Sequence, residues 1–222
     1  MSRYSVCFYK SGYIRYISHL DLLRLFKRSF KRVGIKLKYS QGFNPHPKMS
    51  FAQPLSLGYT SSSEYLEFET IDTYPTETIV NKLNSSMPEG LGILSCEELP
   101  ASGKSLAAMT ETADYEIIIP AKNVLNQDIS GLIDKYISQN EIMVFKRQKK
   151  GGKDIEINIK PLIFDIEGEA NENQILITAK LAAGSSSNLS PELVLASFCN
   201  FAEIQYDRAQ VSIKRTAIHF NN

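Results

Sequence analysis

From residue 3 to 10 apolar and polar side chains alternate, Tyr4, Val6 and Phe8 against Ser5, Cys7 and Tyr9, the period of a half-buried strand. A turn at Ser11 and Gly12 predicts a return strand through Tyr13 to Ile17. The period then changes. Ser18, with Asp21 three residues on, makes a capping box, and Gly34 after Val33 is a C-terminal stop. At about 100° per residue, Leu22, Leu23, Leu25, Phe26, Phe30 and Val33 fall on one arc and Arg24, Lys27, Arg28, Lys31 and Arg32 on the opposite one. Such a helix buries one side and displays five cations on the other. Residues 35–39 read as a strand. The stretch 41–54, QGFNPHPKMSFAQP, holds three prolines and predicts a long shaped loop, strand-like around Met49, Ser50 and Phe51. A strand over 64–69, a helix over 76–87 entered through Pro75, and a strand over 91–99 complete a strand, helix, strand, strand, helix, strand order, the ferredoxin-like pattern.

Residues 101–113, rich in Ala, Ser and Gly, read as a linker. Beyond it the order repeats: a strand over 114–119, a helix over 129–139 and a strand over 142–147. A basic turn at 148–153 leads to a hairpin partner over 155–166, and a strand over 174–181, a helix over 191–201 capped by Ser190 and a strand over 210–220 follow. The expected fold class is α+β: two tandem ferredoxin-like (βαββαβ) units with antiparallel sheets, residues 1–100 and 114–222, joined by 101–113.

Charge adds a direction to this picture. The first sixty positions hold eleven Lys and Arg but one carboxylate, Asp21, a balance of about +10 in a chain of formal net charge +1. Such asymmetry points to a polyanionic partner for the N-terminal part. With 43% apolar and 22% charged residues the composition is that of a globular protein. No uninterrupted run of about 18 apolar residues and no secretory pattern occurs, so a cytoplasmic protein with no membrane partner is expected. Cys7, Cys96 and Cys199 form no CxxC pair and read as small buried apolar residues.

Two histidines are candidate catalytic groups. His19 falls in the first turn of the basic helix, where the dipole disfavours its protonated form; a neutral imidazole there can serve as general base toward a ribose 2′-hydroxyl or as a metal ligand, or simply bond to a neighbouring loop. His46, between Pro45 and Pro47, sits in a stiffened polar loop, which is either a binding element or a packed turn. With Asp21 and Glu64 they show no spacing that demands a metal, and no cofactor is expected. Serines 61–63 and 185–187 match no phosphate motif and read as loops. For nucleic-acid binding, Arg24, Lys27, Arg28 and Lys31 line one stripe able to meet successive phosphates, and the stripe lacks the interleaved carboxylates of an ordinary solvated helix face. Arg15, Lys38 and Lys48, with Lys10 and Lys36, extend the surface, and Tyr39 and Phe43, with Tyr13 and Tyr16, suit stacking on unpaired bases. A second basic cluster, Lys146, Arg147, Lys149, Lys150 and Lys153, marks a hairpin tip.

The runs ISHLDLLR, YSQGFNPHPKMSFAQPLSLG and SSSEYLE, in this order and spacing within residues 13–67, resemble the radical SAM-associated (radical SAM-linked) family, a bacterial domain of undefined biochemical role. The later run IEINIKPLIFDIE fits it more loosely. Members resemble either a stand-alone protein or an extension of a radical SAM enzyme. This chain has no CxxxCxxC cradle, so cluster chemistry implied by the resemblance belongs to a partner, and no cluster or S-adenosylmethionine site is assigned. A more distant likeness, resting on element order and His19, is to RAMP-type RNA-binding proteins, which include endoribonucleases; their C-terminal glycine-rich loop is not matched by AAGSSS at 182–187. These resemblances and the charge together imply an RNA-binding accessory protein that acts with a radical SAM enzyme in RNA modification or processing. The alternatives are a metal-independent endoribonuclease using His19, aided by His46, and a subunit whose basic face docks a protein without touching RNA.

Overall fold

The structure is a computed structural model that describes residues 2–121, 128–146 and 154–221. In chain order the elements are β1 (Ser2–Lys10), α1 (His19–Arg32), β2 (Met49–Phe51), β3 (Thr60–Thr70), α2 (Thr76–Asn84), β4 (Leu91–Leu99) and α3 (Leu106–Met109). There follow β5 (Thr110–Pro120), α4 (Ile129–Ser138), β6 (Met143–Lys146), β7 (Ile155–Asn158), β8 (Ile163–Ala170), β9 (Gln174–Ala182), α5 (Pro191–Phe201) and β10 (Ser212–Phe220). The class is α+β with antiparallel pairing. Two compact units divide the chain: Met1–Glu111 with Arg215–Asn222, and Thr112–Lys214. The last eight residues thus count with the first unit, where the sequence placed them with the second.

In the first unit β1 lies between β4 and β3, with Val6 opposite Cys96 on one side and Leu66 on the other. β2 pairs with β3 through Phe51 and Leu66, and the Ser61 hydroxyl donates to the Arg215 carbonyl at 2.9 Å where β10 meets β3. The alternation of β1 decides which residues go inward. Tyr4, Val6 and Phe8 are fully buried with Leu66 and Phe68 of β3, and α1 covers them with Leu22, Phe26 and Phe30 while α2 adds Ile79 and Leu83. Each such side chain contributes about 1.5–3 kcal/mol by leaving water. Ring contacts fix the helix on the sheet: Phe8 meets Phe26 edge-on at 5.0 Å and Phe30 lies 4.6 Å from Phe68. Tyr4 closes the core by donating to the Tyr74 carbonyl and accepting from its N–H, which holds the entry to α2.

Up to residue 113, four expected elements differ. Residues 13–17 form no strand; Gly12–Tyr16 is a 3-10 turn closed by Ile17 N–H to the Ile14 carbonyl. Both edges of β1 are already taken by β3 and β4, so a returning strand has nothing to pair with. Residues 35–39 make isolated bridges, Leu37 with Thr70 and Tyr39 with Pro47, and at the second Pro47 offers no N–H for a ladder. The helix from Thr76 stops at Asn84, with Ser85 as C-cap ahead of Pro88. Between 101 and 113 the chain forms α3 and then starts β5 at Thr110, while the Arg3 guanidinium donates to the carbonyls of Pro100 and Lys104.

In the second unit β9 lies between β5 and β8. The expected single partner strand over 155–166 is broken in two by a 3-10 turn, Lys160–Leu162, in which Pro161 cannot donate. β7 pairs with β6 in a separate two-stranded sheet and β8 joins β9 instead. Tyr136 of α4 and Phe198 of α5 stack edge-on at 5.5 Å in the core of this unit. Of the basic hairpin tip, residues 147–153 lie outside the described residues; Lys146 ends β6 and is exposed.

Candidate nucleic-acid interface

The cap of α1 sets the orientation of everything after it. The Ser18 hydroxyl accepts from Asp21 N–H at 3.2 Å and donates to the Asp21 carboxylate at 2.7 Å, and Arg24 donates to the same carboxylate at 2.9 Å. These bonds, Ser18's first and then that of Arg24, hold the Asp21 carboxyl below its usual range. From this start the 3.6-residue period buries Leu22, Phe26, Ser29 and Phe30. Arg24, Lys27, Arg28, Lys31 and Arg32 are left exposed. Among the described residues Arg24 is the one of the five that meets a carboxylate.

The exposed cations border two clefts. Lys27 and Lys31, with Lys36, Tyr39 and Ile71, border one of about 490 Å³. Arg28 and Arg32, with Ser85 and Ser86, border another of about 420 Å³. Lys27 Nζ lies 5.9 Å from the centre of the Tyr39 ring, close enough for a cation–π contact.

The remaining expected binding residues fall into two groups. Tyr13, Tyr16, Tyr39 and Phe43 are exposed, Phe43 completely. Lys38 and Lys48 are instead engaged with Glu69, at 2.9 and 3.0 Å. Burial alone would push the Glu69 carboxyl up, but the bonds from these two lysines outweigh it and hold the group below its usual range. Arg15 is half-buried with its guanidinium over the Tyr16 ring at 4.9 Å, which stiffens the 3-10 turn.

His19 opens α1 and is half-buried, its ring edge-on to Phe51 at 5.1 Å. Burial, reinforced by the nearby Lys10 charge, pushes its pKa below the ordinary value, so the imidazole is neutral at neutral pH. It borders a void of about 10 Å³ shared with Lys10, Glu64, Phe8 and Gln53, room for about one water. Sequence reasoning gave little weight to the groups behind it. Lys10, 2% exposed, donates to the carbonyls of Arg15 and Ile17 at 3.4 and 3.3 Å. Burial pushes its pKa down; Glu64 acts against that shift and Arg215 with it. Arg215, 1% exposed, grips the Glu64 carboxylate with two nitrogens at 2.8 and 2.5 Å and donates to the Gln53 carbonyl at 3.0 Å. The sequence held one signal for this cluster: Lys10 has the same parity in β1 as Tyr4, Val6 and Phe8. Nothing marks Arg215, which lies 151 positions from Glu64.

His46 is exposed, its N–H donating to the Ser40 hydroxyl at 3.0 Å and its carbonyl accepting from Ser40 N–H at 2.8 Å. The polar clamp fixes the loop, and no described contact joins His46 to His19. Among the described residues no three His, Cys, Asp or Glu side chains gather as a metal site. Burial pushes the thiols of Cys96 and Cys199 up to about 12, so neither is a thiolate at neutral pH.

A family model described as "Uncharacterized protein conserved in bacteria (DUF2344)" matches residues 3–191. No curated protein matches the chain. Among solved structures, an unknown protein from Galdieria sulphuraria is 12% identical over 100% of this chain and 99% of its own, with a TM-score of 0.28. A candidate glycine cleavage system transcriptional repressor is 10% identical over 99% of this chain and 98% of its own, with a TM-score of 0.24. Scores this low do not establish a common fold. No helix among the described residues is long and apolar enough to cross a membrane.

Proposed function

We propose, for a chain that belongs to the DUF2344 family of uncharacterized proteins conserved in bacteria, a role as an RNA-binding accessory protein of the cytoplasm that acts with a radical SAM enzyme in RNA modification or processing. The observation that carries RNA binding is the exposed face of α1, where Lys27, Arg28, Lys31 and Arg32 meet no carboxylate among the described residues. Cations four residues apart, about 6 Å along the axis, neutralise separate phosphates and release their counterions. Exposed Tyr39 and Phe43 beside this basic stretch supply flat faces for unpaired bases. The enzyme partner rests on the likeness of residues 13–67 to radical SAM-linked proteins. The order β4-β1-β3 with β2 beyond β3 supports a ferredoxin-like first unit, and the order β5-β9-β8 supports the same reading of the second.

Replacing Arg24, Lys27, Arg28 and Lys31 together with glutamine tests this role. With a fluorescently labelled RNA hairpin, affinity should fall at least tenfold, and the slope of log K against log salt should flatten by roughly three, about 0.7–0.9 for each phosphate that is no longer neutralised. Unchanged affinity and slope would remove α1 from RNA binding. Co-purification of a protein partner that survives nuclease treatment and depends on the same four residues would favour a docking subunit instead.

The neutral His19 beside buried Lys10 favours one second reading, a metal-independent endoribonuclease. It requires RNA ends carrying 2′,3′-cyclic phosphate, formed without magnesium and abolished by His19→Ala, with exposed His46 assisting. Absence of cleavage across a pool of cellular RNAs would exclude it.

A further inference from the structure

We propose that the cleft along the C-terminal half of α1 takes one unpaired nucleotide of the bound RNA, base inward and phosphate at the rim. This rests on the RNA-binding role above and names the part of the RNA that the site recognises. The cleft floor is apolar: buried Phe30 lies at its base, with Tyr39 and Ile71 at its sides, 44% and 57% exposed. Its rim is cationic, with Lys27 and Lys31 from α1, while Lys36 from the segment after it is paired with Asp72 at 3.5 Å.

That combination selects one chemistry. A bare inorganic anion gains nothing from the floor, and a neutral apolar ligand gains nothing from the two ammonium groups of Lys27 and Lys31. A nucleotide uses both, because its base stacks on a tyrosine face while its phosphate meets the lysines. Lys27 Nζ, 5.9 Å from the centre of the Tyr39 ring, places a cation close to where a stacked base would sit. The volume, about 490 Å³, lies within the range of about 300–1,000 Å³ usual for ligand pockets. Its walls are also fixed before any ligand arrives. Ile35 N–H bonds to the Phe30 carbonyl at 3.0 Å, Ile71 N–H to the Lys36 carbonyl at 3.0 Å, and Lys36 N–H to the Tyr74 hydroxyl at 3.2 Å. The cleft on the other flank, bordered by Arg28, Arg32, Ser85 and Ser86, offers cations and hydroxyls without an aromatic face and suits backbone phosphates alone.

The test compares a labelled twelve-nucleotide single-stranded RNA with an abasic strand of the same length and phosphate count. The native protein should bind the intact strand roughly tenfold more tightly, as stacking of one base provides. Tyr39→Ala should reduce that preference by the share of one stacked base while leaving abasic-strand affinity and its salt dependence unchanged, and Tyr39→Phe should retain it in full. Ile71→Glu, at an exposed position, should reduce it as well without a change in thermal midpoint that would signal misfolding. Equal binding of both strands by the native protein, or a full preference kept by Tyr39→Ala, would overturn the nucleotide site while leaving α1 as a phosphate-binding face. Failure of the native protein to bind either strand would overturn RNA binding itself and the cleft with it.

Discussion

The first unit carries two sets of cations that the fold treats in opposite ways. Lys10 and Arg215 are buried, and each is tied down: Lys10 to two backbone carbonyls, Arg215 to both oxygens of Glu64 and to the loop at Gln53. The α1 cations are exposed, and beyond the pair of Arg24 with Asp21 none meets a carboxylate among the described residues. Charge taken out of water has to find its partner inside the chain, since desolvation costs several kcal/mol per ion. Charge left in water needs none for stability, and a dense one-sided row of like charges weakens a helix slightly. An exposed row of this kind is therefore not required by the fold, and it is the face on which the proposed RNA contact rests.

The sharpest break of this contrast is Arg215→Met. It strands the Glu64 carboxylate in the core and should cost about 3–5 kcal/mol in urea unfolding, whereas Glu64→Leu with Arg215→Met should recover most of that loss. RNA affinity of the folded fraction should be unchanged in the double variant. Replacing the four α1 cations should do the reverse: the fall in affinity described above, with stability within about 0.5 kcal/mol of the native protein. A large stability loss there would mean that the exposed row is structural. Ser18→Ala should lie between, costing about 1 kcal/mol by removing the cap and reducing helicity by circular dichroism.

The smallest expected effect is in pH dependence. Because the folded His19 has a pKa below 6.5, the unfolded chain takes up a proton first as pH falls. Its contribution to stability is complete above about pH 6.5 and declines below it toward the folded pKa. His19→Gln should flatten the fall in urea midpoint between pH 7 and 5, by a modest amount because the ring is half-exposed. An unchanged pH profile would place the neutral imidazole in doubt.

Helix α1 was legible in its cap, its extent and its buried face because its information is local: the cap spans Ser18 to Asp21, and burial follows a period that any window of the sequence displays, though Ser29 is buried with Leu22, Phe26 and Phe30 while Leu23, Leu25 and Val33 are only partly so. The stripe of cations followed from the same period. What escaped was decided by partners far along the chain. Residues 13–17 alternate well enough for a strand, but the edges of β1 were already occupied. Lys38 and Lys48 looked like part of one basic surface until β3 brought Glu69 between them. Arg215 and Glu64 meet only because β10 returns to the first unit, and no local pattern records that. Pro161 was visible, yet its effect, splitting one expected strand into β7 and β8, depended on β9 being available to pair with the second piece.

The central claim, that the α1 face contacts RNA, is tested most directly by ultraviolet crosslinking in cells followed by mass spectrometry of the RNA-linked peptides. Crosslinks should fall in the peptides carrying Tyr13, Tyr16, Tyr39 and Phe43 and should disappear when Arg24, Lys27, Arg28 and Lys31 are replaced. Crosslinks confined to residues 112–214, or none in cells that contain the intact protein, would contradict it.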